Sequence, residues 1–222
     1  ILIGLVGSEM CIRDRYTILL LFAVCGAVPT DLCYNHCRIK TNQEMDIVTV
    51  DRQKVLDAFA AYIRPYDAQD PKVSLKIHHT YRVAALCEQI GRSIALEGTA
   101  LDLAWLCGML HDVGRFEQLR RFGTFDDSKS IDHARAGVQV LFEQGHIRDY
   151  LDDDSEDAML RTAVEWHSAY RLPDGLDERT VMYCNILRDA DKIDILRVNV
   201  ETPLEDIYNV TTAELLASPV TP

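Results

Sequence analysis

Three places in this sequence hold side chains of the kind that bind cations: His78 and His79, the pair His111 and Asp112, and the acids Asp189 and Asp191. Imidazole nitrogens and carboxylate oxygens together suit Mn, Fe, Co, Ni or Zn better than Mg, which is less at home among imidazoles. An ion held this way lowers the pKa of a water towards neutrality and stabilises charge on phosphoryl oxygens. A lone histidine on an apolar face is more often a packed core residue than a ligand, so each candidate needs partners.

The elements that carry these residues narrow the choice. Leu75, His79, Val83, Leu86, Ile90 and Ile94 recur at spacings of four, four, three, four and four, which is one face of a helix. His78 falls about 100° round that helix, in line with Ser74, Arg82, Gln89 and Arg92. Periodicity therefore prefers His79. The next helix, ALDLAWLCGMLHD, is almost wholly apolar until it delivers His111 and Asp112 in its last turn, where Val113 and Gly114 are expected to end it. An imidazole beside a carboxylate at the end of a buried helix is costly unless an ion compensates both. Further along, Asp191 shares a stripe with Cys184, Leu187, Ile195 and Val198, and Asp189 shares one with Met182, Ile186 and Ile193. Periodicity leaves those two acids unseparated.

From Asp51 onward the sequence reads as successive helices at roughly 51–65, 72–97, 100–112, 131–145, 156–170 and 178–198, without sustained strand-like alternation. Turn-rich separators lie at Pro65 to Pro71, Gly123 to Ser130 and Leu172 to Gly175. The acidic run Asp152 to Asp154 reads as a solvated loop leading into a helix capped by Ser155. His133 begins the 131–145 helix, and His167 follows Leu160, Ala163 and Val164 on an apolar face.

A chain of 222 residues with 48% hydrophobic content is long enough for one well-packed domain. Its formal charge of -12 disfavours nucleic acid or an anionic membrane surface as a partner. Cys87, Cys107 and Cys184 are widely spaced in apolar surroundings and read as reduced core residues of a cytoplasmic protein. Residues 1–44 break from this composition. Their charges balance, and 5–14, LVGSEMCIRD, reads as the translation of a transposon-type sequencing adapter. They are expected to be a non-native leader or disordered, with Met45 the true start, residues 45–222 the domain, and the C-terminus cut short. Within the leader, the apolar run Ile18 to Val28 is too short to span a bilayer, and Cys33, His36 and Cys37 lack the second ligand pair of a zinc finger.

HTYRV at 79–83, HDVGRFEQ at 111–118 and DADKID at 189–194, in that order, resemble the H…HD…D signature of the HD superfamily of metal-dependent phosphohydrolases, over about 72–198. The resemblance implies an all-α helical bundle of roughly six or more helices. It implies that His79, His111, Asp112 and Asp191 bind a divalent metal, which chooses Asp191 over Asp189. In binuclear members of that superfamily, histidines between the HD pair and the last aspartate hold a second ion, so the resemblance implies one or two ions here, the second at His133 and His167 with Asp112 bridging. Ser168 after His167, and the absence of a GYP triplet, set the chain apart from the HD-GYP subgroup.

The expected activity is hydrolysis of a small phosphorylated substrate, a phosphomonoester or nucleotide, with Asp112 orienting or deprotonating the attacking water. By charge and position, Arg115, Lys192 and Lys129 are candidate phosphate contacts, Lys129 from the polar loop FGTFDDSKSIDH. Asp126, Asp127 and Asp132 either orient histidines or cap helices, and capping is the blander role. The alternative is a nucleotide-sensing module that keeps the fold and the metal but turns over little. The complete H…HD…D set favours the enzyme.

Overall fold

A computed structural model describes residues 48–203 together with Ile207, Thr211, Ala213, Leu216 and Ala217. The leader and its motifs, and Met45, lie outside the described residues. Within them every regular element is helical, as the absence of strand-like alternation predicts. In chain order these are α1 (Arg52–Ile63), α2 (Pro71–Ser93), α3 (Gly98–Leu110), α4 (Val113–Phe122), a single 3-10 turn (Asp127–Lys129), α5 (His133–Val138), α6 (Ile147–Tyr150), α7 (Asp157–Trp166) and α8 (Glu178–Glu201). Among the described residues no helix is long and apolar enough to cross a membrane.

Local chemistry sets half of the α-helix starts. The carboxylates of Asp51, Asp70, Asp132 and Asp177 accept backbone N–H groups at the first turns of α1, α2, α5 and α8, which satisfies donors that have no partner inside the helix. Pro71 adds a preset φ at the start of α2. Ser155 does not act as a cap. Helix α7 begins at Asp157 without a side-chain cap, and the N–H of Ser155 instead donates to Asp153 Oδ1.

Helix α3 is the axis of the bundle, buried at nearly every position from Leu101 to Leu110, and α1, α2, α7 and α8 pack round it. Two glycines allow the closest crossings. A Cβ on Gly108 would sit 2.5 Å from the Cα of Ala84, so α2 and α3 touch backbone to backbone there. A Cβ on Gly114 would sit 2.1 Å from the carbonyl oxygen of His133, which marks the crossing of α4 and α5. Gly114 therefore does not stop a helix. The chain breaks only at His111 and Asp112 and resumes as α4, a helix that the sequence reading did not include. Tyr62 of α1 donates to the Val113 carbonyl at 2.9 Å, and Phe59 and Tyr62 meet Phe116 edge-on, which fixes α4 after the break.

Several expected helices are shorter than their patterns, two of them at candidate ligands. The 131–145 segment is helical over His133–Val138 and then loosens into a π turn at Gln139–Glu143, where Gln144 N–H reaches Gln139 O at 2.9 Å. The 156–170 segment ends at Trp166, which leaves His167 at the helix terminus. Cys87, Cys107 and Cys184 are buried free thiols.

Candidate metal centre

Four helix boundaries and two helix interiors meet at one buried point. His79 comes from the middle of α2, His111 closes α3, Asp112 precedes α4, His133 opens α5, His167 closes α7 and Asp191 lies inside α8. All six are at most 6% exposed. His78 is exposed, with its Nδ1–H donating to Ser74 O at 2.7 Å, so α2 turns the two neighbouring histidines to opposite fates. On α8 the structure buries Asp191 and leaves Asp189 half-buried, a separation that periodicity could not make.

Each imidazole is committed at Nδ1. At the ends of α3 and α7 the last carbonyls lack helical partners, and His111 and His167 fold back to donate Nδ1–H to Gly108 O and Val164 O, each at 2.7 Å. His79 and His133, which have no such carbonyl, face carboxylates instead. Asp194 Oδ2 is 2.6 Å from His79 Nδ1, and Asp127 Oδ2 is 2.6 Å from His133 Nδ1. Hydrogen bonds of this kind fix the ring orientation and leave Nε2 as the free ligand atom.

The four Nε2 atoms converge in two pairs. His79 and His111 are 3.3 Å apart, and His133 and His167 are 3.1 Å apart. Asp112 lies between the pairs, with Oδ2 3.5 Å from both His79 and His111, and Oδ1 3.9 Å from His133 and 3.8 Å from His167. Asp191 Oδ1 is 3.0 Å from His79 and 3.7 Å from His111. Two sets of donors thus have ligand atoms within 4.8 Å of one another: His79, His111 and Asp112, and Asp112, His133 and His167.

This donor set fits a divalent cation. Lone pairs of neutral imidazoles that point at each other and at carboxylate oxygens, away from water, repel unless a positive charge stands among them. Burial and the nearby His133 and His111 push His167 down to about 3, so it stays neutral with its lone pair available. Burial opposes ionisation of Asp112, yet Lys76, His111 and Arg115 hold its carboxyl well below the usual range. Burial likewise opposes ionisation of Asp191, and its hydrogen bond with His79 and the surrounding imidazoles win.

The sequence model of the HD domain family matches residues 77–196, more than half of the chain and the whole span of these ligand candidates. The chain belongs to the HD domain family. HD domains are mostly metal-dependent phosphohydrolases and are all-α folds that bind divalent metals, in keeping with the helices and the His/Asp groups described above. No curated protein and no solved structure matches the chain.

Of the three cations expected to reach phosphate, Arg115 stands beside the centre, its Nε 3.7 Å from Asp112 Oδ1. Arg115 is buried, and its Nη1 donates to Gln118 Oε1, Phe125 O and Asp127 Oδ1, so it ties the 123–132 loop down. Lys129 has a side chain 66% exposed and stands 3.4 Å from Asp126 on the outer side of that loop. Lys192 is half-buried and, among the described residues, makes no ion pair with the cluster. Of the loop acids, Asp126 caps the 3-10 turn and Asp132 caps α5, whereas Asp127 faces His133. Sequence reasoning missed Asp194 and Lys76. Asp194 stands three residues after Asp191, and Lys76 three before His79. That spacing puts each on the same helix face as the residue already singled out.

Proposed function

We propose that this HD-family protein is a metal-dependent phosphohydrolase acting on a small phosphomonoester or nucleotide. The observation that carries the reading is the double convergence on Asp112: two pairs of Nε2 atoms, every ring already engaged at Nδ1, on either side of one buried carboxylate. His79, His111, Asp112 and Asp191 would hold one ion, and Asp112, His133 and His167 a second. When bound, divalent ions supply Lewis acidity towards phosphoryl oxygens and activate water as a nucleophile.

The protein's own groups provide the rest. Asp112, kept ionised by Lys76 and His111, is an acceptor that orients a water rather than a strong base. Asp191 adds a second buried negative charge, so that it and Asp112 together would match one dication. The imidazole-rich donors favour Mn, Fe, Co, Ni or Zn over Mg.

The test is to purify the full chain, measure its bound metal, and screen phosphomonoesters, nucleotides and cyclic nucleotides with Asp112→Ala alongside. The wild type should carry divalent metal and turn over at least one phosphomonoester, and Asp112→Ala should lose at least about a thousandfold in rate. Bound metal with no turnover on any of these substrates would replace this reading with a nucleotide-sensing module.

A further inference from the structure

Arg115 spends Nη1 on the loop and stands 3.7 Å from Asp112 Oδ1 through Nε, Lys129 faces outward, and Lys76 brings an ammonium to the other oxygen of Asp112. Lys76 Nζ stands 2.8 Å from Asp112 Oδ2, closer to that carboxylate than either neighbouring imidazole at 3.5 Å. It projects from the same face of α2 as His79, one turn earlier. Its side chain is 15% exposed against 3% for Asp112, so it lines an approach to the carboxylate rather than lying sealed beneath it. Phe125, from the loop that Arg115 holds, places its ring 5.2 Å from the ammonium and covers one side of it.

We propose that Lys76 is a substrate-binding residue that holds a non-bridging oxygen of the substrate's phosphoryl group. An ammonium has three donors, and Asp112 takes one of them. Asp112 and Asp191 together balance a single divalent ion, so Lys76 leaves the loaded centre positive, and an anionic ligand offsets that charge. The other charged groups nearby are already matched. Asp194 is held by Arg82 and Arg197, and Asp127 by Arg115. A phosphoryl group that meets the ions on one side can thus accept from Lys76 on the other, with Phe125 keeping bulk water off the ammonium. Lys is suited to this role as a compact point charge that does not demand a planar, two-oxygen partner.

This proposal rests on the phosphohydrolase reading for its substrate, but it is tested through binding. The probes are inorganic phosphate, titrated calorimetrically into the metal-loaded full chain, and p-nitrophenyl phosphate as a reporter ester. Lys76→Met should keep the wild-type metal content and thermal midpoint while phosphate affinity falls at least about tenfold. KM for the ester should rise by a similar factor with a smaller change in kcat, and Lys76→Arg should recover most of the phosphate affinity. Phosphate affinity within twofold of wild type in Lys76→Met overturns the proposal. So does a loss of metal in that variant, which would make the ammonium a prop for Asp112. If phosphate binds through Lys76 while no ester is hydrolysed, the enzymatic reading fails and the phosphoryl subsite stands.

Discussion

His79 and His133 meet the cluster through the same atom, Nε2, and each has a carboxylate 2.6 Å from Nδ1, but the two carboxylates live in different surroundings. Asp194 stands inside α8, 1% exposed, and accepts from Arg82 at 2.9 and 3.1 Å and from Arg197 at 2.5 Å. Asp127 belongs to the surface loop, its side chain is 36% exposed, and its hold comes from Arg115 and Gln118 on α4. His79 itself is carried by the long helix α2, whereas His133 opens the six-residue helix α5. His111 and His167 make no such contrast, since each closes a helix onto its own backbone. The difference teaches that one half of the centre is built into the core and the other is assembled by a loop, so the second half should bind its ion more weakly and open first.

The contrast is sharpest in the two carboxylates. Asp194→Asn removes a buried charge that two arginines and an imidazole face, and should cost about 2–4 kcal/mol of stability. It should also weaken the ion of the first half by about 10–100-fold through loss of ring orientation. Asp127→Asn should weaken the second ion by a similar factor, yet cost less stability than Asp194→Asn, because Asp127 is 36% exposed and pairs with one arginine rather than two. Urea unfolding and metal titration of both variants measure these quantities. Equal stability losses would erase the distinction between a core-built and a loop-built half.

A smaller effect is expected at the α4/α5 crossing, which seats His133 at the start of α5. Gly114→Ala puts a methyl against the His133 carbonyl and the Gly137 N–H, and should cost about 1–3 kcal/mol through forced separation of the two helices. Metal analysis should show the second ion depleted while the first persists. Joint loss of both ions would mean that Asp112, not the helix pair, transmits the strain.

The same contrast marks what could be read in the sequence. His79 is legible because α2 is long and its stripe regular, and the helical class is legible because apolar periodicity runs through most of the domain. His111 and His167 are visible as types, but not the fact that both close helices onto their own carbonyls, since the end of α7 at Trp166 depends on packing. Helix α4 is hidden because Val113 and Gly114 look like a stop, and only the contact with His133 shows that the glycine is there for closeness. Asp194, Lys76 and Asp127 owe their roles to partners on other elements, separated in sequence by 115, 36 and 6 residues. A residue type and a helix face do not reveal such a partner.

The halves also differ in their response to protons when no cation is bound, and this is the smallest effect expected. Burial and Lys76 oppose protonation of His79, but its hydrogen bonds to Asp191 and Asp194 outweigh them and raise its pKa above the ordinary 6.5. Burial, with His133 and His111 close by, lowers His167 to about 3. The native protein therefore takes up the His79 proton before the unfolded chain does, a gain that grows as the pH falls towards 6.5 and levels off below it. Below 6.5 the unfolded chain protonates His167 first, so its contribution is lost progressively down to about pH 3. From pH 6.5 to 5 only the second change is under way of these two, and a single such group lowers stability by up to about 1.4 kcal/mol per pH unit. Urea unfolding of chelator-treated protein should show that decline, and His167→Asn, whose amide can still donate to the Val164 carbonyl, should flatten it. An unchanged slope in His167→Asn would place the acid sensitivity outside the second half.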